Sequence, residues 1–499
     1  MLIDRRFLAS AVSVLALSVA APALGQQMSA KDAWAQLRSL AAGAGLTISS
    51  QSVTDNGTSM VANGVRIFPT SEPDDLVLTL DTLGIEPRGD QIALMPSARI
   101  GVETRLAGGI ERDFEILNPG MGEIVGALTD ANAALSFGFP TLTMRMVRSE
   151  QGGRPLDEAM DVTFEGFDVN LSATVDGNAD VFVGASSVRY DAVLSTPSGM
   201  GDQRMRQTMD GTMEAVALEF SGRELDMIAD TEGAIRRAFD AGMEMTLRLT
   251  AGPATGNTGQ SGGPFDMTLA TTAESSLLEA TVRGGRVDVQ ITAGAGRYAG
   301  GSGPMQGEVS FDAIGFNFGM PLIMTPDDQP ARYAFNFDNL TPSPELLQMA
   351  RAGAFAGDSL SVALDLGADM RLTSEIGPSW SDSDVPPFDL SRVRLENLLV
   401  RVGDSEFTGT GAVTLIGGLL AQIGRPMPDA EGDLTFNLIG GERLLQRVQS
   451  LGLVPEDQLF FARMMINGLG RPVGDDHLQS DVAIRPGGVV TVNGAPLPF

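Results

Sequence analysis

Few side chains in this sequence are able to do chemistry. The 499-residue chain has no cysteine and a single histidine, His477. Thiol nucleophiles, thiolate ligands and histidine-rich zinc, copper or haem sites therefore lack material. One combination remains for nucleophilic catalysis: Ser359, in Gly357-Asp358-Ser359-Leu360, with His477 as its base. Its chemistry would be ester hydrolysis, the histidine taking the serine proton and a third group orienting the ring.

The Gly-Asp-Ser-Leu block is similar to the nucleophile block of one class of serine esterases and lipases. In that class the block lies near the N-terminus after a buried strand, and a late Asp-x-x-His supplies the base. Here it lies two-thirds along the chain, an alternating segment follows it, and Gly474 stands three residues before His477. Gly403-Asp404-Ser405 repeats the trio in another turn, as a turn composition would. Triad members meet in space, so Ser359 with His477 stays as a third functional reading, behind two that need no catalysis.

For metals, the carboxylates leave only calcium chemistry. Asp176, Asn178 and Asp180 have the one-three-five spacing of a calcium loop, but Val181 stands where the tight turn wants glycine and no glutamate follows in place. Asp176-Gly177 reads better as a hairpin turn. Asp74-Asp75, Asp327-Asp328 and Asp475-Asp476 read as solvated loops, and His477 beside the last pair as a loop histidine. Gly300-Gly301-Ser302-Gly303 lacks the lysine of a phosphate loop and reads as a link between strands. No catalytic, cofactor-binding or metal residue is assigned, and no cofactor is expected.

Composition narrows the class further. A net charge of −29 excludes nucleic acid and disfavours anionic lipid surfaces. Residues 1–25 read as a cleaved export signal: Arg5-Arg6, the apolar stretch Leu8 to Ala20, then Ala23-Leu24-Gly25. Arg5-Arg6-Phe7-Leu8 also fits a twin-arginine signal. The expectation is a periplasmic Gram-negative protein, soluble after cleavage, without a transmembrane segment.

The body of the chain repeats one pattern, apolar and polar side chains in alternation. Met243, Met245, Leu247 and Leu249 alternate with Glu244, Thr246 and Arg248; Val287, Val289 and Ile291 with Asp288 and Gln290; Tyr333, Phe335 and Phe337 with Ala334 and Asn336; Leu434, Phe436 and Leu438 with Thr435 and Asn437. Similar segments lie near 141–147, 162–173, 213–220, 265–270, 360–366 and 482–492. Each predicts a strand with one buried and one wet face, and 60 glycines and 27 prolines supply the turns. At Gly166 the phase slips, which predicts a glycine bulge. Helices are expected from Ser29-Asp32 through Trp34, Leu37, Leu40 and Ala41, over 222–240, at Ser343-Pro344-Glu345, and as a hairpin at 441–469. The Gly, Thr and Ser tract 251–263 predicts a flexible loop or joint, and a second break lies at 378–387.

The fold class is mainly β: a long curved antiparallel sheet, elongated or half-barrel-like, with a few peripheral helices. Its halves are 26–255 and 256–499. Leu395-Glu396-Asn397-Leu398 followed by Gly409-Thr410-Gly411, then Gly440-Gly441, Gly452-Leu453-Val454-Pro455, Gly487-Gly488 and Val492-Asn493-Gly494, resembles a family of exported alphaproteobacterial proteins known only as a domain of unknown function. The order covers about 320–499, including Leu340 to Leu346. Gly409-Thr410-Gly411 with its flanking strands is also similar, more distantly, to AsmA-type envelope proteins, whose long curved sheets are associated with lipid handling. Neither resemblance supplies catalytic residues.

A one-sided apolar sheet must close, take a second layer, or take a ligand. Methionine-rich strand faces, with 24 methionines in the chain, suit adaptable apolar contacts. The leading reading is a non-enzymatic envelope protein binding a lipid or other apolar molecule. The alternatives are a scaffold for another envelope protein, and the Ser359–His477 hydrolase.

Overall fold

In a computed structural model the chain forms two compact units, Met1–Ala270 and Thr271–Phe499. The structure describes residues 29–497 apart from 44–45, 72, 89–90, 107, 119–122, 129–131, 175–176, 198–203, 225–233, 263–265, 304, 376–385, 426–428 and 453. The expected signal 1–25, Asp176 and most of the break at 378–387 lie outside the described residues.

The fold is mainly β and antiparallel, as the alternation predicts. Apart from the short strands Leu46–Ser49, Ser52–Asp55 and Arg154–Pro155, the first unit contains, in order, helix α1 (Ala30–Gly43), β1 (Met60–Pro69), β2 (Leu76–Arg88), β3 (Gln91–Pro96), β4 (Arg99–Leu106), β5 (Ile110–Leu117), β6 (Ile124–Leu128), β7 (Asn132–Gln151), β8 (Ala159–Thr174), β9 (Ala179–Pro197), β10 (Arg204–Arg223), α2 (Ala234–Ala241), β11 (Glu244–Ala251) and β12 (Ala254–Ser261). Ser29 caps α1: its Oγ accepts from the Asp32 amide at 3.1 Å and donates to the Asp32 carboxylate at 2.6 Å. Ala30, Ala33, Trp34 and Leu37 then pack on Met60, Val65, Leu80, Ile85 and Ile92 to make a dry core. The side chain of Leu40 lies outside what the structure describes.

Gly166 has φ +56°, a backbone that glycine adopts without strain. The break it marks is not a bulge in one strand. Glu165 pairs with Thr141 and Phe167 with Phe139, so β7 and β8 keep their register across it. The same lapse crosses β9 at Ser186 and β10 at Ala215. With no residue inserted on either side, the reversal of side-chain phase is shared by every strand of the crease. Phe164 and Phe167, three apart, consequently meet on one face, their rings 5.6 Å apart.

Two expectations are corrected here. Residues 254–261 are not a loop or joint but β12, paired with β10 from Arg206–Ser261 to Met213–Ala254. Cross-strand bonds compensate for low strand propensity: Asn257 donates to Asp210 at 2.8 Å, and the Thr212 and Thr255 hydroxyls meet at 3.0 Å. In the expected helix 222–240, Gly222 and Arg223 belong to β10, where Gly222 pairs with both Ala179 and Met245, and helix is formed over Ala234–Ala241.

The second unit contains β13 (Ser276–Arg283), β14 (Arg286–Ala293), β15 (Gly296–Ser302), β16 (Met305–Phe311), β17 (Ala313–Pro321), β18 (Gln329–Pro342), α3 (Pro344–Met349), β19 (Leu360–Leu372), β20 (Phe388–Val402), β21 (Ser405–Leu415), β22 (Ala430–Ile439), α4 (Gly441–Ser450), α5 (Glu456–Leu469), β23 (His477–Arg485) and β24 (Val489–Val492). The expected helical hairpin is α4 and α5. The alternating segment at 482–492 is two strands, β23 and β24, joined through the turn at Gly487-Gly488.

Candidate functional site

Strand register turns the short alternations of the second unit into continuous rows. One row runs Leu278, Ile291, Phe316, Phe335, Leu364, Leu398, Gly409, Phe436, Ser480 across nine strands, β13, β14 and β17 to β23. A second, beside it, runs Ile314, Phe337, Val362, Val400, Phe407, Leu438, Leu478. On the other side a third runs Ala280, Val289, Phe318, Tyr333, Leu366, Leu395, Gly411, Leu434, Val482 and ends at Val492. Within these rows no side chain is charged.

One irregularity holds the rows in phase. Between Leu395 and Leu398 strand β20 bulges against β21, which absorbs Glu396 and Asn397 and keeps both leucines on the apolar face. Opposite the bulge, Gly409 leaves room for the Phe436 ring, which stacks on Phe407 with centroids 5.7 Å apart and planes 6° from parallel. The Leu-Glu-Asn-Leu and Gly-Thr-Gly segments thus have a mechanical meaning.

The reverse face carries ion pairs: Arg332 with Asp365 at 2.7 Å, Arg394 with Asp369 at 2.7 Å, Arg401 with Glu406 at 2.7 Å and Arg485 with Asp433 at 2.8 Å. Asp365 and Asp369 hold the Arg332 and Arg394 guanidiniums above their usual range through direct hydrogen bonds. The two faces differ completely in character, yet the apolar one is not dry. Of the side chains in its rows only Val492 is buried, and Ile291, Tyr333 and Phe337 are 44, 42 and 37% exposed.

The three rows together form an apolar track; beside its β22–β24 margin lies α5, and between them is a cavity of about 340 Å³. Phe407, Phe436, Leu478 and Val482 form the sheet side, and Met465, Ile466 and Leu469 the helix side. The Leu469 carbonyl accepts from Ser480 Oγ at 2.9 Å and Asn493 Nδ2 at 2.8 Å, which ties the C-terminal end of α5 to β23 and the turn after β24. At the other end, Pro455 provides no side-chain cap, and Gly452 turns the chain at φ +64°. Arg463 joins α5 to Glu442 of α4 at 3.1 Å.

Helix α4 is fixed by residues read from sequence in other roles. Asp476 is not a solvated loop carboxylate: its oxygens accept from the amides of Glu442 at 2.9 Å and Arg443 at 3.4 Å, while its carbonyl takes Gly440 N–H at 2.8 Å. A carboxylate there also suits the positive end of the helix. Asp358 pairs with Arg447, whose guanidinium lies 4.8 Å from the Phe355 ring centroid and donates to the Ala354 carbonyl at 2.7 Å. Asp476 lies 34 residues from Glu442 and Asp358 lies 89 residues from Arg447, so no local pattern could have shown either role.

Ser359 donates to Asn339 Oδ1 at 3.2 Å. It precedes β19, whereas His477 opens β23, and β20, β21 and β22 lie between them. Four strand spacings of about 4.8 Å, roughly 19 Å along the sheet, lie between them. The sheet does not bring Ser359 and His477 together as nucleophile and base. His477 pairs with Ile439 on the ion-paired face, and its Nε2 is buried without a partner.

Thr174 N–H donates to the Asn178 carbonyl at 2.9 Å, on either side of the turn expected at Asp176-Gly177, of which Asp176 lies outside the described residues. Among the described residues no three His, Asp or Glu side chains stand close enough to hold a metal ion, and no helix is long and apolar enough to cross a membrane. Comparison with protein-family models, curated proteins and solved structures found no match.

Proposed function

We propose that this is a non-enzymatic, exported envelope protein of the periplasm that holds a lipid or another apolar molecule against the apolar face of its second unit. The carrying observation is the set of three uncharged rows, aligned side by side across seven to ten strands, with almost no buried side chain. Contiguous apolar surface of that extent is costly in water and marks a site of contact. Mass spectrometry of an organic extract, from protein purified out of the periplasm without detergent, tests the reading. A lipid or other apolar species in stoichiometric amount is the expected result; a folded protein with an empty extract counts against it.

One observation favours a second reading, a scaffold for another envelope protein. On the outer side of α5, Phe460, Phe461 and Met464 are 69, 56 and 52% exposed. Aromatic and methionine side chains are frequent anchors of protein interfaces. Crosslinking that captured one reproducible partner, and lost it with Phe460→Ser and Phe461→Ser together, would favour the scaffold.

A further inference from the structure

We infer that the cavity beneath α5 is the seat of one end of a single acyl chain, whose remaining length lies on the track and whose polar group stays outside. The inference rests on the apolar-ligand reading and specifies where on the face, and in what chemical form, the ligand is held.

The occupant is a hydrocarbon because the cavity offers nothing else a reason to bind. Its lining contains no charged side chain. Its hydroxyl, Ser480 Oγ, is engaged by the Leu469 carbonyl, and Asn437 belongs by register to the opposite face. A ligand with a polar group inside would leave that group without a partner. The volume of about 340 Å³ falls at the lower end of small-molecule pockets, which run from roughly 300 to 1,000 Å³.

The occupant is a chain rather than a compact molecule because the cavity is continuous with the track. Phe407 and Phe436 are wall residues of the cavity and also members of two rows, where Val400 and Leu398 follow on β20 beyond Phe407 and Gly409. A flexible alkyl chain is able to follow such a wall out of the cavity onto the rows. Helix α5, fastened at Leu469 and uncapped at Pro455, forms the roof under which it enters.

The test uses the full mature chain and cis-parinaric acid, an acyl chain whose fluorescence rises in apolar surroundings. Val482→Phe fills the cavity from the sheet and Ile466→Phe from the helix. Each is expected to weaken parinarate binding by about tenfold or more, as steric filling of an apolar pocket does. Val482→Ile and Val482→Leu should give graded losses, which keeps the test sharp if a phenylalanine variant folds poorly. Val147→Phe, at an exposed position of the first unit that belongs to none of the rows, should bind as the parent does. The inference is overturned if all the filling variants bind like the parent while Ile291→Asp with Phe316→Asp abolishes binding; the face would then hold the ligand without the cavity. A parent chain that neither binds parinarate nor carries a lipid in its extract overturns the apolar-ligand reading itself.

Discussion

Gly409 of β21 lies directly opposite Phe436 of β22, and a Cβ on Gly409 would come within 2.6 Å of the Phe436 ring. The stack of Phe407 on Phe436, and with it one wall of the cavity, depends on that missing methyl. Gly409→Ala therefore forces the ring or the strand to move. The expected cost is about 1–3 kcal/mol, the range for overpacking, read as a lower urea midpoint at unchanged slope. Gly409→Ala with Phe436→Leu should recover part of the loss, because the smaller side chain yields the space.

The Glu158 carboxylate is wholly buried in the first unit. It accepts from Arg112 at 2.9 Å, from the Ser149 hydroxyl at 2.6 Å and from the Ser195 amide at 3.2 Å. Burial pushes the carboxyl up, but these three partners together outweigh it and leave Glu158 below its ordinary value. A lowered carboxyl contributes stability that is complete above the unfolded-state value of roughly 4.3 and is lost as pH falls through the folded one. Glu158→Gln should destabilise the first unit by about 1–3 kcal/mol at neutral pH. Its difference from the parent in urea midpoint should stay flat above pH about 5.5 and shrink on acidification below about 4.3. A difference that grew on acidification would contradict the assignment.

Asp476 caps α4 from outside the helix. Asp476→Ala is expected to cost about 1 kcal/mol, and Asp476→Asn much less, since asparagine also accepts from helix amides. Hydrogen exchange should quicken over Glu442 to Leu445 in the alanine variant and leave β19 unchanged. Equal exchange in all three proteins would show that the cap has no energetic weight.

Ser359 and His477 stand too far apart for proton transfer. Purified protein should show no turnover of p-nitrophenyl esters above buffer, and Ser359→Ala and His477→Ala should change nothing. Turnover abolished by both substitutions would require the strand order between them to be wrong.

Most of the strands were legible because a two-residue period is a local signal, present in every segment from Met243–Leu249 to Leu434–Leu438. The hairpin of α4 and α5 was legible for the same reason, its stop at Gly452 and start at Pro455 being local too. The 254–261 strand was not, since glycine and threonine there take their order from β10 rather than from their own propensity. The crease was half legible: Gly166 announced a change of phase, but Pro140, Ser186 and Ala215 reveal the shared line only when the strands are aligned. The same holds for the candidate site. Each apolar face could be read strand by strand, whereas the joining of Phe335 to Leu364 and Leu398 is a fact of long-range pairing.

The rows repeat with the spacing of the strands themselves. A hydrocarbon lying across them therefore meets much the same surroundings after each displacement of about 4.8 Å. If the proposed apolar ligand lies there, such a surface grips without indexing: it offers many neighbouring resting places of similar depth, so the ligand would be kept from water yet free to creep from rung to rung. Only where the repeat is interrupted, at the Glu396–Asn397 bulge and the ring of Phe436, does position along the ladder acquire a preference. On the proposed reading, the resting position of a ligand is therefore written in the defects of the repeat.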